Sequence, residues 1–204
     1  MRKMVPLSVW LIACGPPIAG PPPIPLAQNE SMQIGSYATY VDTVGKSRPR
    51  PPAGDLFQTQ LAATFRMKNQ AFHLTPLVSF GGKRSFWGAG ILGRYQIMPE
   101  RTDLWQVQSS IGIGWADLGI SWTREKERLA IYSAPSIGLR DSIWMRVPIG
   151  IRVDLDGYYL DLESGLTTST AMLDPDRAYG PSSYGYVSLG LSKGFPVKET
   201  QNSK

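Results

Sequence analysis

The sequence predicts an all-β protein, an eight-stranded antiparallel up-and-down barrel that crosses a membrane. Three observations lead to this fold: apolar and polar residues alternate along long segments, short and long connections follow in turn, and aromatic residues stand near both ends of successive segments. The composition agrees, because only 18% of the 204 residues are charged, below the roughly 25% of an average soluble domain. No segment reaches the ~18 to 20 consecutive apolar residues of a spanning helix.

Alternation with a period of two defines the strands. Over residues 57–68 the odd positions are mostly apolar and the even positions mostly polar, which indicates a strand with one apolar face. The pattern recurs along the chain, more weakly at its start. The predicted strands are 32–42, 57–68, 72–80, 87–97, 105–115, 129–139, 142–153 and 187–195. They run to about 9 to 13 residues, which exceeds an average soluble strand and suits a tilted bilayer crossing.

Short and long connections alternate between these strands. The short ones are 68–70, 98–103 and 140–142, and the long ones are 44–56, 116–128 and 154–182, with 81–85 as a brief exception. Transmembrane barrels have this order, with short periplasmic turns and longer outer loops. The longest loop, 154–182, is the expected surface for a partner, because loops of such length are commonly functional.

Aromatic residues on the apolar faces are expected to form two girdles at the membrane interfaces. They stand eight or ten residues apart on four successive strands. At ~3.3 Å per residue and a tilt near 40°, eight residues climb roughly 20 Å, close to the ~25 Å apolar band of an outer-membrane barrel. Up-and-down threading places Phe57, Phe80, Trp87 and Trp115 at one rim and Phe65, Phe72, Tyr95 and Trp105 at the other.

The opposite faces carry Gln, Arg, Ser and Gly. They would make a costly core for a soluble protein and suit the polar interior of a membrane barrel. Charges inside a barrel must be paired, so we expect an interior charge network. Its members are Arg66, Arg94, Arg146 and Arg152, with Asp154 and Asp156 as partners of the last two arginines.

With its loop order, its polar interior and a Gly-rich last strand that ends at Phe195, the chain resembles the small eight-stranded outer-membrane barrels. This group includes the transmembrane part of outer membrane protein A, the opacity proteins and the lipid A deacylases. The resemblance covers residues 32–195 and implies a location in the bacterial outer membrane. Pro76, Pro135 and Pro148 depart from it, because each removes a ladder donor in a barrel that has no free edge. An eight-stranded barrel is filled by side chains, which argues against a porin.

The start of the chain is typical of an export signal, with basic residues at positions 2 and 3 and an apolar stretch at 5–13. The sequence Leu11-Ile12-Ala13-Cys14 resembles the bacterial lipobox, which implies cleavage before Cys14 and its lipidation. Ordinary cleavage after Ala27 is the alternative. The prolines that follow predict an extended spacer. The expected organisation is a signal at 1–13, alternatively 1–27, a Pro-rich tether at 14–31, the barrel at 32–195 and a tail at 196–204.

Basic residues in three predicted loops are expected to face lipopolysaccharide phosphates at one rim, because Arg and Lys pair well with phosphate. They are Lys46, Arg48, Arg50, Lys83, Arg84, Arg124, Lys126 and Arg128. Nucleic acid is not an expected partner despite a net charge of +5, since an exported chain without a stacking motif does not suit that role.

His73 is the only histidine and a weak candidate for catalysis. Lipid A deacylases use a His and a Ser two residues apart with an orienting carboxylate, and that spacing is missing around His73. A hydrogen-bonded interior histidine is the simpler interpretation. One histidine supplies too few ligands for a transition metal, and Asp154-Leu155-Asp156-Gly157 does not continue as a calcium loop. No metal or cofactor is predicted.

These observations favour a non-enzymatic outer-membrane barrel that stabilises the envelope or binds a surface partner through its basic loops and the loop at 154–182. Two other functions stay open. One is a barrel enzyme that acts on lipid A or phospholipid. The other is a lipocalin-like lipoprotein that carries an apolar ligand, which requires an inverted barrel with its aromatic residues inside.

Overall fold

The protein is described by a computed structural model. It describes residues 21–43, 57–67, 71–81, 86–97, 103–113, 115–139, 143–170 and 182–196. The strands are β1 (Glu30–Thr43), β2 (Phe57–Arg66), β3 (Phe72–Gly81), β4 (Phe86–Gln96), β5 (Asp103–Gly112), β6 (Trp115–Lys126), β7 (Leu129–Ser133), β8 (Ser136–Leu139), β9 (Ile143–Asp154), β10 (Tyr158–Thr170) and β11 (Ser182–Pro196). No helix in these ranges is long and apolar enough to cross a membrane.

The strands close into one antiparallel barrel. Strands that follow one another in the chain pair with each other, except β7 and β8, and β11 pairs with β1 to complete the circle. The segments β7 and β8 both lie between β6 and β9 and form one strand with a break at Ala134 and Pro135. Over the ranges that the structure describes, the barrel therefore has ten strands, and the prediction of eight is wrong.

The register of the pairs sets the shape of the barrel. The register partners form a path once around the barrel, from Thr43 of β1 through β11 and the rest of the wall to β2. This path returns to β1 about twelve residues before Thr43. An offset of this size, the shear of the barrel, corresponds to a strand tilt of about 40°. Diameter grows with strand number. The lumen is therefore wider than that of the predicted eight-stranded barrel.

Two strands occupy segments that the sequence analysis assigned to long loops. β6 replaces most of the predicted loop 116–128, and β10 replaces the middle of the predicted loop 154–182. In β10, Leu160 and Leu162 face outward while Asp161 and Glu163 face inward. The alternation is present, but its inward positions are acidic, so the segment has the composition of a polar loop.

A two-residue turn joins β9 to β10. Asp156 and Gly157 both have positive φ values, 58° and 88°, and the Leu155 amide donates to the Tyr158 carbonyl at 2.7 Å. The Gly157 amide also donates to the Asp154 carboxylate at 3.1 Å. Asp-Gly with two left-handed residues is the signature of a type I′ hairpin turn. The acidic segment that resembled part of a calcium loop is thus a hairpin turn.

The barrel is apolar outside and polar inside. Ile111 and Ile149 on the outer face are 66% and 62% exposed, whereas Gln60, Gln106 and Gln108 on the inner face are at most 2% exposed. A lipocalin-like carrier needs the reverse arrangement. Since apolar side chains cover the outer wall, the structure overturns that alternative.

Each of the three prolines is accommodated differently in the closed wall. Pro76 in β3 faces outward, and beside it the Thr64 and Thr75 hydroxyls bond across β2 and β3 at 3.0 Å. Pro135 lies at the break between β7 and β8, and its carbonyl accepts from the Ile120 amide.

Pro148 faces the lumen from β9, and its carbonyl accepts from the Ser133 hydroxyl at 2.6 Å. Side-chain and irregular backbone bonds at Pro76, Pro135 and Pro148 therefore supplement the wall where the proline donors are missing.

Candidate functional site in the barrel lumen

The two ends of the barrel differ in their connections. β1 begins and β11 ends at the end that also holds the connections 67–71, 97–102, 127–128 and 155–157. The opposite end holds 44–56, 82–85, 113–114, 140–142 and 171–181. Short turns mark the periplasmic end of such barrels and longer connections mark the outer end. Hereafter these are the periplasmic end and the outer end.

The predicted basic rim is divided between these two ends. Lys46, Arg48, Arg50, Lys83 and Arg84 belong to outer connections and lie outside the described residues. Because β6 is a strand, Arg124, Lys126 and Arg128 lie at the periplasmic end, and their assignment to the same rim is wrong. There Arg124 faces Asp103 at 3.7 Å, and Arg128 faces Asp156 at 3.0 Å. The predicted partner loop is likewise reduced to 171–181, which lies outside the described residues.

Aromatic side chains on the outer wall lie near both membrane interfaces. Phe57 and Phe80 are exposed at the outer end, and Phe65, Tyr95 and Trp105 are exposed at the periplasmic end. Phe72 is half-buried at the periplasmic end. Trp87 lies on β4, with its side chain outside the described part of the structure.

Trp115 does not join the outer girdle. It is 4% exposed and points into the lumen. The predicted strand ran from 105 to 115, but β5 ends at Gly112 and β6 begins at Trp115, so the alternation restarts after a turn. A Cβ at Gly112 would overlap the indole ring, so glycine leaves room for it. The assignment of Trp115 to the girdle is therefore wrong.

A closed barrel of this kind pairs its wall hydrogen bonds between strands and presents an apolar band with aromatic residues near both edges. The described outer wall has these properties. The chain is a bacterial outer-membrane β-barrel.

Comparisons with known proteins were made for sequence and for structure. No protein-family model matches the chain, and no curated protein is significantly similar to it. Among solved structures, the Neisserial surface protein A is 12% identical with a TM-score of 0.42, over 80% of this chain and 97% of that one. The KdgM porin in complex with disordered oligogalacturonate is 11% identical with a TM-score of 0.48, over 80% and 99%.

The β domain of the Bordetella autotransporter BrkA is 9% identical with a TM-score of 0.49, over 82% of this chain and 100% of that domain. At such identities and TM-scores, these similarities assign neither a family nor a role to the chain.

An N-terminal segment, residues 21–28, lies inside the periplasmic end of the lumen and is called the plug. Its residues from Pro21 to Ile24 and Leu26 are buried. Ile24 packs against Ala130 and Tyr132 of β7. The sequence predicts an extended tether here, and the prolines do keep the segment out of the sheet. The described part of the tether is nevertheless packed within the barrel rather than extended away from it.

The wall holds the plug mainly through its carbonyl oxygens. Arg94 of β4 donates to the Pro22 carbonyl at 2.8 Å and also to that of Pro21. The Thr123 hydroxyl of β6 donates to the Pro23 carbonyl at 3.2 Å. Since proline has no N–H, this part of the plug offers acceptors only, and donors from the wall complement it.

Arg66 of β2 holds the other end of the plug. Its guanidinium donates to the Ala27 carbonyl at 2.6 Å and the Gln28 carbonyl at 3.1 Å, and also to that of Leu26. Residues of β2, β4, β6 and β7 therefore contact the plug, which crosses the lumen between opposite parts of the wall.

A second group of lumen residues forms a paired network on β1, β9, β10 and β11. Arg152 donates to both carboxylate oxygens of Asp161, at 2.7 and 3.0 Å, and both side chains are at most 5% exposed. The Arg152 guanidinium also stacks over the Tyr159 ring, 4.8 Å from its centroid. The Tyr159 hydroxyl donates to Glu30 at 2.7 Å.

The network continues toward the outer end through a tyrosine–glutamate pair. The Tyr186 hydroxyl donates to Glu163 at 2.8 Å, and both residues are buried. Buried carboxylates are costly unless they are hydrogen-bonded. Asp161 and Glu163 meet that requirement through the bonds described here.

The predicted interior charges are only partly correct. Arg94, Arg146 and Arg152 are buried in the lumen, and Arg66 lies half-buried at its mouth. Asp154 caps the hairpin turn and Asp156 is exposed beside Arg128, so neither is the partner of Arg152. The observed partner is Asp161, which the sequence analysis placed in a loop.

An apolar cluster lies in the lumen beyond the plug, toward the outer end. It consists of Tyr37, Ala62, Leu77, Leu92 and Trp115, contributed by five strands from β1 to β6. A Cβ at Gly190 would overlap the Tyr37 ring, so the glycine-rich last strand gives that ring its space. The lumen is thus occupied at two levels, first by the plug and then by this cluster.

His73 faces the lumen from β3 and is 2% exposed. Its register neighbours are Arg66 on β2 and Arg94 on β4, two cations rather than an orienting carboxylate. Within the described residues, neither ring nitrogen has a hydrogen-bond partner. The expectation of a hydrogen-bonded histidine therefore does not hold there, and the arrangement lacks the carboxylate that would orient a general base. Cys14 lies outside the described residues.

Proposed function

We propose that the protein is a non-enzymatic, normally closed barrel that stabilises the outer membrane. The observation that carries this proposal is the position of residues 21–28 and of the cluster around Tyr37 and Trp115 inside the lumen. A ten-stranded barrel is wider than an eight-stranded one, and without the plug its periplasmic mouth would be lined by Arg66, His73 and Arg94. The plug and cluster make it a wall rather than a pore.

Conductance tests the closed state. The purified full chain, inserted into a planar lipid bilayer, is expected to carry no stable ion current in 1 M KCl. At about this ionic strength, electrostatic interactions are screened within ~3 Å, so charge steering of ions is weak. Heat-modifiable migration on a gel confirms that the inserted protein is folded. A stable open current from folded protein would contradict the proposal.

The proposal includes contact with lipopolysaccharide at the outer end. Cations of the outer connections share one end of the barrel in the topology, and lipid phosphates are the anions next to that end. They are Lys46, Arg48, Arg50, Lys83 and Arg84.

A matched pair of variants tests this contact. Replacement of the five outer cations by Gln should lower the lipopolysaccharide that copurifies with the barrel. Replacement of Arg124, Lys126 and Arg128 by Gln removes charge at the periplasmic end and should leave it unchanged. Phosphate per barrel, measured after detergent purification, distinguishes them. Equal losses from both variants would contradict a specific outer contact.

We also propose that the mature chain begins at a lipidated Cys14. Cleavage after Ala27 would remove the carbonyls of Pro21, Pro22 and Pro23 that Arg94 and Thr123 hold. Cleavage before Cys14 keeps the plug intact. The intact mass of protein purified from membranes should correspond to a chain from Cys14 with attached acyl groups, and Cys14→Ala should abolish that mass. A mature chain that begins at Gln28 would contradict this processing and the native plug together.

A further inference from the structure

Buried polar atoms without hydrogen-bond partners occur at several places among the described residues, and one group of them lies on β3 to β5, beside the plug. His73, Arg94 and Gln108 are consecutive register partners on β3, β4 and β5, and Gln106 is the next inward residue of β5. All four are at most 4% exposed. Among the described residues, both His73 ring nitrogens, the Arg94 Nε, the Gln106 Nε2 and the Gln108 Oε1 make no hydrogen bond.

Buried polar groups are normally hydrogen-bonded, and one that is not is unfavourable. The exceptions in a folded protein call for an explanation, and one is a ligand that supplies the missing bonds. At their unpaired atoms the Arg94 guanidinium, the His73 imidazole and the Gln106 amide offer N–H donors on three neighbouring strands, whereas the unpaired Gln108 Oε1 is an acceptor.

The charge of this wall selects the kind of ligand. The inward-facing described residues of β2 to β5 include Arg66, His73 and Arg94 and no carboxylate. The described lumen carboxylates lie on other strands and are hydrogen-bonded. Asp161 and Glu163 of β10 are bonded to Arg152 and Tyr186, and Glu30 of β1 and Asp117 of β6 accept from Tyr159 and Ser110. A small anion would therefore be attracted to the β2–β5 wall, and a cation would not.

The plug shows which atoms Arg94 accepts. Two guanidinium nitrogens of Arg94 donate to two successive carbonyl oxygens, those of Pro21 and Pro22. A pair of adjacent oxygens facing the guanidinium fork is also what a carboxylate or a phosphate presents. The plug carbonyls carry only partial charge, so an oxyanion would form stronger, charge-assisted bonds at the same nitrogens.

We propose that Arg94, His73 and Gln106 form a binding site for a small soluble oxyanion, a carboxylate or phosphate, and that the plug carbonyls occupy its Arg94 position in the closed barrel. Binding of the anion and docking of the plug then compete for one guanidinium. This inference rests on the proposed closed state, because it treats residues 21–28 as a reversible closure. Anion binding favours release of the plug, and release of the plug exposes the cationic mouth.

Ile24→Asp separates the plug from the site without altering the wall. Ile24 packs on Ala130 and Tyr132, and a carboxylate at that position would be buried against apolar groups, which disfavours docking. If the plug occupies Arg94 about nine-tenths of the time, its release should tighten the apparent affinity for inorganic phosphate about tenfold, because apparent affinity scales with the competent fraction. Isothermal titration of the full-length variant in detergent measures this change, and heat-modifiable migration reports its folding.

Arg94→Gln in the Ile24→Asp chain is expected to abolish the phosphate signal, and acetate should compete with phosphate in the parent Ile24→Asp chain. The matched control is Arg124→Gln, which removes an exposed cation at the same end of the barrel and should leave binding unchanged. Unchanged phosphate affinity in Ile24→Asp, or binding that survives Arg94→Gln, would overturn the site. A loss of binding that is equal in the Arg124→Gln control would assign the signal to general charge and overturn it as well.

Current measurements keep the two proposals distinguishable. Suppose that the unaltered chain carries no current, and that the Ile24→Asp chain conducts anions in preference to cations but binds no phosphate. This result would support the closed barrel and contradict the anion site. An unaltered chain that conducts would remove the closed state, whatever the titration shows.

Discussion

The two sides of the lumen satisfy their charges in different ways. On β9 to β11 and β1, each buried carboxylate described above has its own partner in the wall, as in the pairs Arg152 with Asp161 and Tyr186 with Glu163. On β2 to β5, Arg66 and Arg94 instead donate to carbonyls of a separate segment. One side pairs its charges within the wall, and the other pairs them with the plug, a segment outside the sheet. The pairing on the first side is set by the strands, and the pairing on the second side depends on the plug.

The largest expected effect comes from the side that pairs its charges within the wall. Asp161→Ala leaves the buried Arg152 without its bidentate partner, and removal of one member of a buried pair costs about 3–5 kcal/mol. Urea titration of the barrel in lipid vesicles should show this loss in the free energy of unfolding. A loss no larger than that of an exposed pair would show that Arg152 finds equivalent bonds from Gln33 and Tyr159.

A smaller effect on the free energy of unfolding is expected at two buried polar residues, Tyr186, which is hydrogen-bonded, and Gln60, which has no partner among the described residues. Tyr186→Phe removes the donor to buried Glu163 and should lower the free energy of unfolding by about 1–3 kcal/mol. Gln60→Leu removes an amide that has no partner among the described residues, so stability should stay equal or rise. The same urea titrations give both values. If Gln60→Leu lowers the free energy of unfolding as much as Tyr186→Phe does, the Gln60 amide on β2 contributes as much to stability as the Tyr186 hydroxyl does.

The smallest effect is expected outside the lumen. Arg128 and Asp156 face each other at 3.0 Å, but their side chains are 69% and 80% exposed. Solvent screens such pairs, so Arg128→Gln should change the free energy of unfolding by less than about 1 kcal/mol. The change should shrink further when salt is added. A salt-independent change of several kcal/mol would place this turn among the elements that hold the barrel closed.

The sequence pattern predicts a barrel wall with an apolar outer face, but it does not reveal every strand of that wall. Outward residues such as Phe57, Leu61 and Phe65 predict a lipid-facing strand because every second position is apolar. β10 was missed because its inward positions Asp161 and Glu163 resemble a solvated loop. A usable signal was present in the Asp156-Gly157 dipeptide, which favours a two-residue hairpin turn between alternating segments.

The plug could not be predicted from local pattern. Pro21, Pro22 and Pro23 predict an extended conformation, and extended prolines suit a free spacer and a buried strap equally. Their burial depends on donors from Arg94 and Thr123, which come from strands far away in the chain. The pairing of Arg152 with Asp161 rather than with Asp154 likewise depends on the register of β9 and β10. The alternation of apolar and polar residues predicts which way a side chain faces, but it does not predict which residues of distant strands lie opposite each other.

The plug also bears on the order in which the barrel is assembled. Its contacts come from β2, β4, β6 and β7, and no single hairpin contains more than a part of them. The segment is synthesised before the wall, since it precedes β1, yet its complete docking site exists only once the wall has been built. Docking of residues 21–28 is therefore a late event, and a seated plug distinguishes a finished barrel from a partly folded one.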